Sequence, residues 1–276
     1  MMASTLYTLR RDIVEAGRRV YNRNFVAAND GNISARVDAR RVLITPTGVS
    51  KGFMKPEDLI LVDYDGNVLE GRGKPSSETF MHLRVFQERP DINGVVHAHP
   101  PKATGFATAG IPLTQCVLPE VVVSLGGIPL AEYGTPGTDE LYEPVLKYLR
   151  DYDAFLLENH GALTIGSSVM NAYYRMETLE HFAHIALVAI QLGKLQTLKQ
   201  DDVEKLIGLR EKFGIKTKVR CDSCERSDTA ACPVTESPQN GARSAPSAGS
   251  GGASGSPDQR VLVETITSAI LKQLAR

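Results

Sequence analysis

From the N-terminus to about Gly214 the apolar residues recur at two different periods. Short apolar runs at residues 41–45, 59–63, 94–97 and 154–157 have the length and composition of strands. Between them, apolar positions three and four apart predict helices over residues 6–21, 77–88, 139–149 and 169–192, with a shorter one over 202–213. Asp65-Gly66 separates the run at 59–63 from Val68-Leu69 and is a hairpin signal. Strands and helices in this mixed order predict an α/β or α+β domain over residues 1–215, with helices packed on a sheet.

The pattern breaks near Lys218. Residues 216–257 are rich in Ser, Gly, Ala and Pro and nearly free of large apolar side chains. Such a stretch buries too little surface to offset its ordering entropy, so a flexible linker is expected. Apolar residues return in 258–276, where Val263, Ile266, Ile270 and Leu274 form one helical stripe and Asp258 stands at the N-cap position. A helix this short is marginal alone and must lie on something. It either folds back onto its own domain or docks on a partner, and the long tether favours docking.

Charge and composition then exclude several classes. Lys and Arg number 31 against 32 Asp and Glu, a balance with no footprint for nucleic acid. No apolar run is long enough to span a membrane, and the N-terminus reads as an amphipathic helix without a signal-peptide core. Four unevenly placed cysteines do not make a disulfide scaffold, which suits a reducing cytosol. Cys221, Cys224 and Cys232 carry a C-x₂-C spacing but lack a fourth ligand, so flexible thiols are the simpler reading.

Candidate chemistry lies at the ends of the apolar runs. In Gly94-Val-Val-His-Ala-His-Pro100, residues i and i+2 of a strand share a face, and Pro100 ends the ladder, so His97 and His99 leave its rim together. That is half of a metal site or a polar strand end. His160, in Glu158-Asn-His-Gly161, follows another apolar run; three imidazoles meeting at one point would make a catalytic zinc centre with an open position. His82, His181 and His184 fall on helices and read as satisfied or solvated. Gly71-Arg-Gly-Lys-Pro-Ser-Ser-Glu78 opens a helix, where Ser76 or Ser77 would cap and the free N–H groups would attract an anion. Glu78 suits the helix dipole there, or serves as a metal-adjacent general acid/base. Asn29-Asp-Gly-Asn-Ile-Ser34 and Thr45-Pro-Thr-Gly48 are further turns of small polar residues. No P-loop or dinucleotide fingerprint is present.

Taken in order, GNIS, TPTG, KPSSE, HAHP and ENHG resemble the class II aldolase family of fuculose-phosphate aldolases, ribulose-phosphate epimerases and adducin heads, over residues 5–213. The resemblance implies a central, mainly antiparallel sheet flanked by helices, a homotetramer with sites between subunits, and a Zn2+ cofactor. Matched position by position, His97, His99 and His160 correspond to the zinc histidines. Glu78 corresponds to the carboxylate that ligates zinc at rest and then shuttles protons. Gly31, Asn32, Thr47, Gly48, Ser76 and Ser77 correspond to the substrate-phosphate pocket. The implied reaction is cleavage of a 6-deoxyketose 1-phosphate (L-fuculose or L-rhamnulose 1-phosphate) to dihydroxyacetone phosphate and L-lactaldehyde. Dehydratase chemistry on methylthioribulose phosphate and ribulose-phosphate 4-epimerase chemistry are the alternatives. The epimerase branch carries Asp where Glu78 stands, and a metal-free adducin-like module has no need of the histidines. One departure is Glu120, at a position where the bacterial fuculose-phosphate aldolase has a tyrosine. The tail resembles encapsulation peptides of bacterial microcompartments, which implies a shell-protein partner for residues 258–276 and a cytoplasmic, compartment-enclosed location.

Overall fold

A computed structural model of the chain describes residues 2–135, 137–215 and 217–219. Its strands are β1 (Asn32–Arg36), β2 (Arg41–Ile44), β3 (Ile60–Asp63), β4 (Val68–Glu70), β5 (Gly94–Ala98), β6 (Leu130–Ala131), β7 (Ala154–Leu157) and β8 (Gly161–Gly166). They form one sheet in the order β4-β3-β2-β1-β5-β8-β7-β6. Neighbours run antiparallel except the parallel pair β6–β7. The helices are α1 (Met2–Asn22), α2 (Thr79–Glu88), α3 (Pro101–Thr108), α4 (Pro119–Ser124), α5 (Glu143–Leu149), α6 (Val169–Gln191) and α7 (Gln200–Lys212). The expected mainly antiparallel sheet flanked by helices is therefore present.

Each face of the sheet has its own apolar core. Ile33, Ala35, Val96 and Ala98 pack with Ile13 of α1, Phe106 of α3 and Met176 of α6. Val42, Ile44, Val95 and Leu163 pack with Met81 and Phe86 of α2 and Val145 of α5. Because successive strand residues alternate sides, Asn32 and Ser34 of β1 must face α2, opposite Ile33 and Ala35. The register sets Asn32 beside His97 of β5, so the two polar residues share that face. All three are buried, and buried polar groups need partners.

Local details depart from the sequence pattern at the element ends. The helix expected from residue 77 begins at Thr79, with Glu78 as its N-cap. Ser76 closes the turn before it: its Oγ accepts from the Glu78 N–H at 3.3 Å and its carbonyl from the Thr79 N–H at 3.1 Å. β5 stops at Ala98 because the His99 N–H leaves the ladder to donate to the Phe25 carbonyl at 2.8 Å. Pro100 then caps α3. Residues 139–149 hold a 3-10 turn, Asp139–Leu141, followed by α5. Among the described residues no helix is long and apolar enough to cross a membrane. The expected linker (bar its first few residues), the helix at 258–276 and Cys221, Cys224 and Cys232 lie outside the described residues.

Candidate active site

Three loops meet beside the β1–β5 seam. The first is the turn before β1, where Gly31 adopts φ 73°. A Cβ there would stand 2.8 Å from the His97 carbonyl and 2.7 Å from Val26, so only glycine allows this approach. The second and third, at residues 45–48 and 71–77, are stitched together by their backbones. Thr47 N–H donates to the Lys74 carbonyl at 3.0 Å and Ser76 N–H to the Thr45 carbonyl at 3.2 Å. The result is a polar cavity of about 350 Å³ whose lining includes Gly31, Thr47, Gly48, Ser76, Ser77 and Glu78. His99 and His160 close its other end.

His160 reaches the site from the tight β7–β8 turn. Asn159 takes the left-handed conformation, φ 53°, that Asn tolerates better than most residues. The His160 N–H then donates to the Leu157 carbonyl at 3.0 Å. Gly161 follows, where a Cβ would stand 2.6 Å from both the Ala98 carbonyl and the His99 ring. The three rings lie with centroids 4.7–5.1 Å apart. One nitrogen of each imidazole falls within 4.8 Å of the others, which makes the trio a candidate metal centre.

The protons around this cluster leave a hole for a cation. His97 Nδ1 sits 2.9 Å from the Ala162 carbonyl and must donate to it, so its Nε2 carries a lone pair. That Nε2 faces His99 Nε2 at 3.1 Å and Glu78 Oε2 at 3.3 Å. His99 turns Nδ1 towards Asp30 Oδ2 at 3.5 Å, and His160 Nε2 faces Glu78 Oε1 at 3.2 Å. Burial is the largest influence on His97 and pushes it down to about 3, so it is neutral. Burial likewise lowers His99. Burial of Glu78 opposes its ionisation, but hydrogen bonds from His160 and the Asn32 amide favour the carboxylate, and the carboxyl is held well below its usual range. His97 beside Glu78 is thus a neutral imidazole facing a carboxylate, not an ion pair. Imidazole lone pairs and carboxylate oxygens converging without enough protons to share fit a divalent cation of the zinc type.

Lys51, which the sequence did not single out, and His82, which it read as a satisfied or solvated helical histidine, both belong here. Lys51, 1% exposed, lines the cavity and donates from Nζ to the Asn29 and Val49 carbonyls at 2.9 and 2.7 Å. Burial pushes its ammonium down to about 8, against the pull of Asp30. His82 on α2 is fully buried and bonded to Ser34 and Asn32. The Asn32 amide in turn donates to Glu78 Oε2 at 2.6 Å. The amide oxygen and one of its two N–H groups are thereby taken, and Asn32 lines the wall of the cavity. Of the other positions, Glu120 lies exposed in the first turn of α4.

Residues 11–187 match the family described as Class II Aldolase and Adducin N-terminal domain, and the chain belongs to that family. It is 36% identical over 174 residues to an L-fuculose phosphate aldolase of Methanococcus maripaludis, covering 63% of this chain and 93% of that one. It is 32% identical to a 5-deoxy-D-ribulose 1-phosphate aldolase of Bacillus thuringiensis, over 74% of this chain and 96% of that one. It is 33% identical to a 3-oxo-tetronate 4-phosphate decarboxylase of Haemophilus influenzae, over 70% and 93%. A solved L-fuculose 1-phosphate aldolase superposes with a TM-score of 0.69 at 31% identity, covering 75% of this chain and 96% of that chain.

Proposed function

We propose that this protein is a zinc-dependent aldolase that cleaves a 6-deoxyketose 1-phosphate, L-fuculose or L-rhamnulose 1-phosphate, to dihydroxyacetone phosphate and L-lactaldehyde. The observation that carries the reading is the junction of His97, His99, His160 and Glu78 with a cavity of about 350 Å³ that Thr47, Ser76 and Ser77 help to line. Zinc held by His97, His99 and His160 would supply Lewis-acid polarisation of the substrate carbonyl and its neighbouring hydroxyl. Gly31, Thr47, Gly48, Ser76 and Ser77 would bind the phosphate and so orient the bond to be broken. When the C3–C4 bond breaks, its electron pair stays on the three-carbon phosphate fragment. The C4 hydroxyl proton leaves as that carbon becomes the aldehyde. Glu78, ionised at rest beside all of these groups, takes up that proton and delivers it to the carbanionic carbon, and the reverse reaction retraces the transfer.

The test is release of dihydroxyacetone phosphate from L-fuculose 1-phosphate by zinc-loaded protein, with and without chelator. Chelator-sensitive release supports the reading; metal-independent release sinks it. A second reading, decarboxylation of a 3-oxo acid phosphate, is favoured by the Haemophilus influenzae relative, whose 33% identity falls between the 32% and 36% of the two aldolases. Both reactions leave an electron pair next to a carbonyl, so carbon dioxide release from such a substrate separates them. The homotetramer and the shell-protein partner for residues 258–276 belong to this proposal as well. Sedimentation of the full chain, alone and with compartment shells, tests them.

A further inference from the structure

We infer that His82 is a positioning residue that fixes the Glu78 carboxylate through Asn32; this rests on Glu78 being the proton carrier proposed above. A line of three short hydrogen bonds runs from β1 through α2 and back to the site. Ser34 Oγ lies 2.6 Å from His82 Nδ1, His82 Nε2 lies 2.5 Å from Asn32 Oδ1, and Asn32 Nδ2 lies 2.6 Å from Glu78 Oε2. Ser34 and His82 are completely buried, and Asn32 and Glu78 are 5% and 7% exposed.

The protons on this line have one arrangement. A carboxylate accepts only, so Asn32 turns its NH₂ to Glu78 and is left with Oδ1 facing His82. An amide oxygen accepts only, so His82 carries its proton on Nε2. Its Nδ1 is then an acceptor and takes the Ser34 hydroxyl proton. Every polar atom on the line is satisfied, in a place where an unpaired one is costly.

The function follows from what each link prevents. An Asn amide has two nearly equivalent orientations, and the wrong one sets its oxygen against the carboxylate. The Nε2–H of His82 removes that orientation, because the amide NH₂ would then face a donor. Ser34 keeps the imidazole in the required tautomer. Glu78 itself sits at a helix N-cap, where the backbone leaves helical geometry, so the Asn32 donor is what holds Oε2 against the histidine cluster.

Two measurements test this, one of them independent of turnover. In the full chain labelled with ¹⁵N-histidine, His82 gives the signature of a neutral ring protonated at Nε2 near pH 7. The Nδ1-protonated form, or an imidazolium, overturns the assignment whatever reaction the protein catalyses. In kinetics on the ketose phosphate that the wild type cleaves, His82→Leu keeps its zinc content and KM within about twofold but loses at least about tenfold in kcat. His82→Gln, which can still donate an N–H to Asn32, recovers most of it. In an Asn32→Leu background, His82→Leu costs little further, because its effect is routed through the amide. An unchanged kcat in His82→Leu overturns the proposal, and so does equal loss in the Gln and Leu variants. If His82→Leu fails to fold, the Gln variant and the tautomer decide. A wild type inactive on every ketose phosphate removes the proposed reaction and leaves the tautomer result standing.

Discussion

At the scale of single residues, Lys51 shows how burial turns a common side chain into a specific one. Two of its three N–H groups are spent on loop carbonyls, and the charge sits in the wall of a cavity that Thr47, Ser76 and Ser77 also line. A charged hydrogen bond to an anion is worth about 1.5–3 kcal/mol, so Lys51→Met should raise KM for a phosphorylated substrate by about tenfold or more. kcat should change less, and inhibition by inorganic phosphate should weaken in step. The ammonium loses its proton as pH rises through about 8, so the wild-type KM should climb above that pH while the Met variant stays flat. A KM independent of Lys51 would leave it a staple for the two loops. His82 carries a second pH signal, of opposite direction. Its pKa is about 4 in the fold, lowered by burial, against 6.5 for an ordinary histidine. The unfolded chain therefore takes up the proton first, and stability present above pH 6.5 is lost as pH falls towards 4, to a limit of about 3 kcal/mol. Urea unfolding at pH 7 and pH 5 should show a smaller loss in His82→Gln than in the wild type.

At the scale of elements, the strands that read clearly from the sequence are those whose two faces both meet apolar cores. β2, β3, β5 and β7 are nearly continuous apolar runs, because helices cover both sides of the sheet. β1 was legible only as a turn. Its Asn-Ile-Ser-Ala pattern alternates correctly, but the polar face is buried against α2 rather than solvated, and sequence carries no mark of that. For the same reason His82 reads as an ordinary helical histidine. β8 begins and ends in glycine, which hides it among turn signals, and α3 and α4 are short helices opened by proline. His97, His99 and His160 could be named from strand ends, whereas their convergence depends on β5 pairing with β8, a contact between distant parts of the chain. That pairing is held by glycine: at Gly161 an added Cβ would run into the Ala98 carbonyl and the His99 ring. Gly161→Ala should therefore lose bound zinc, measured by metal analysis, with at least the loss expected of a displaced ligand, about tenfold or more in affinity. Retained stoichiometric zinc would show that the turn can give way without moving His99.

At the scale of the whole molecule, the question is whether the domain needs its C-terminal stretch. Both cores are closed by described residues: α1, α3 and α6 cover one face of the sheet, α2 and α5 the other. The exposed large apolar residues are scattered over several parts of the domain, among them Phe53, Phe80, Leu192 and Phe213. The apolar stripe of residues 258–276 stands at the end of a long Ser/Gly-rich tether, a sequence pattern that favours docking on a partner. Deleting residues 258–276 should leave kcat, KM and the unfolding midpoint of the domain within error of the full chain. The deletion should abolish co-sedimentation with compartment shells. A drop in the midpoint, or insoluble protein after deletion, would instead mean that the stripe packs on its own domain. The apolar cleft of about 440 Å³ between α3 and α6, lined by Phe106, Ile111, Leu187 and Ile190, would then be the first surface to mutate.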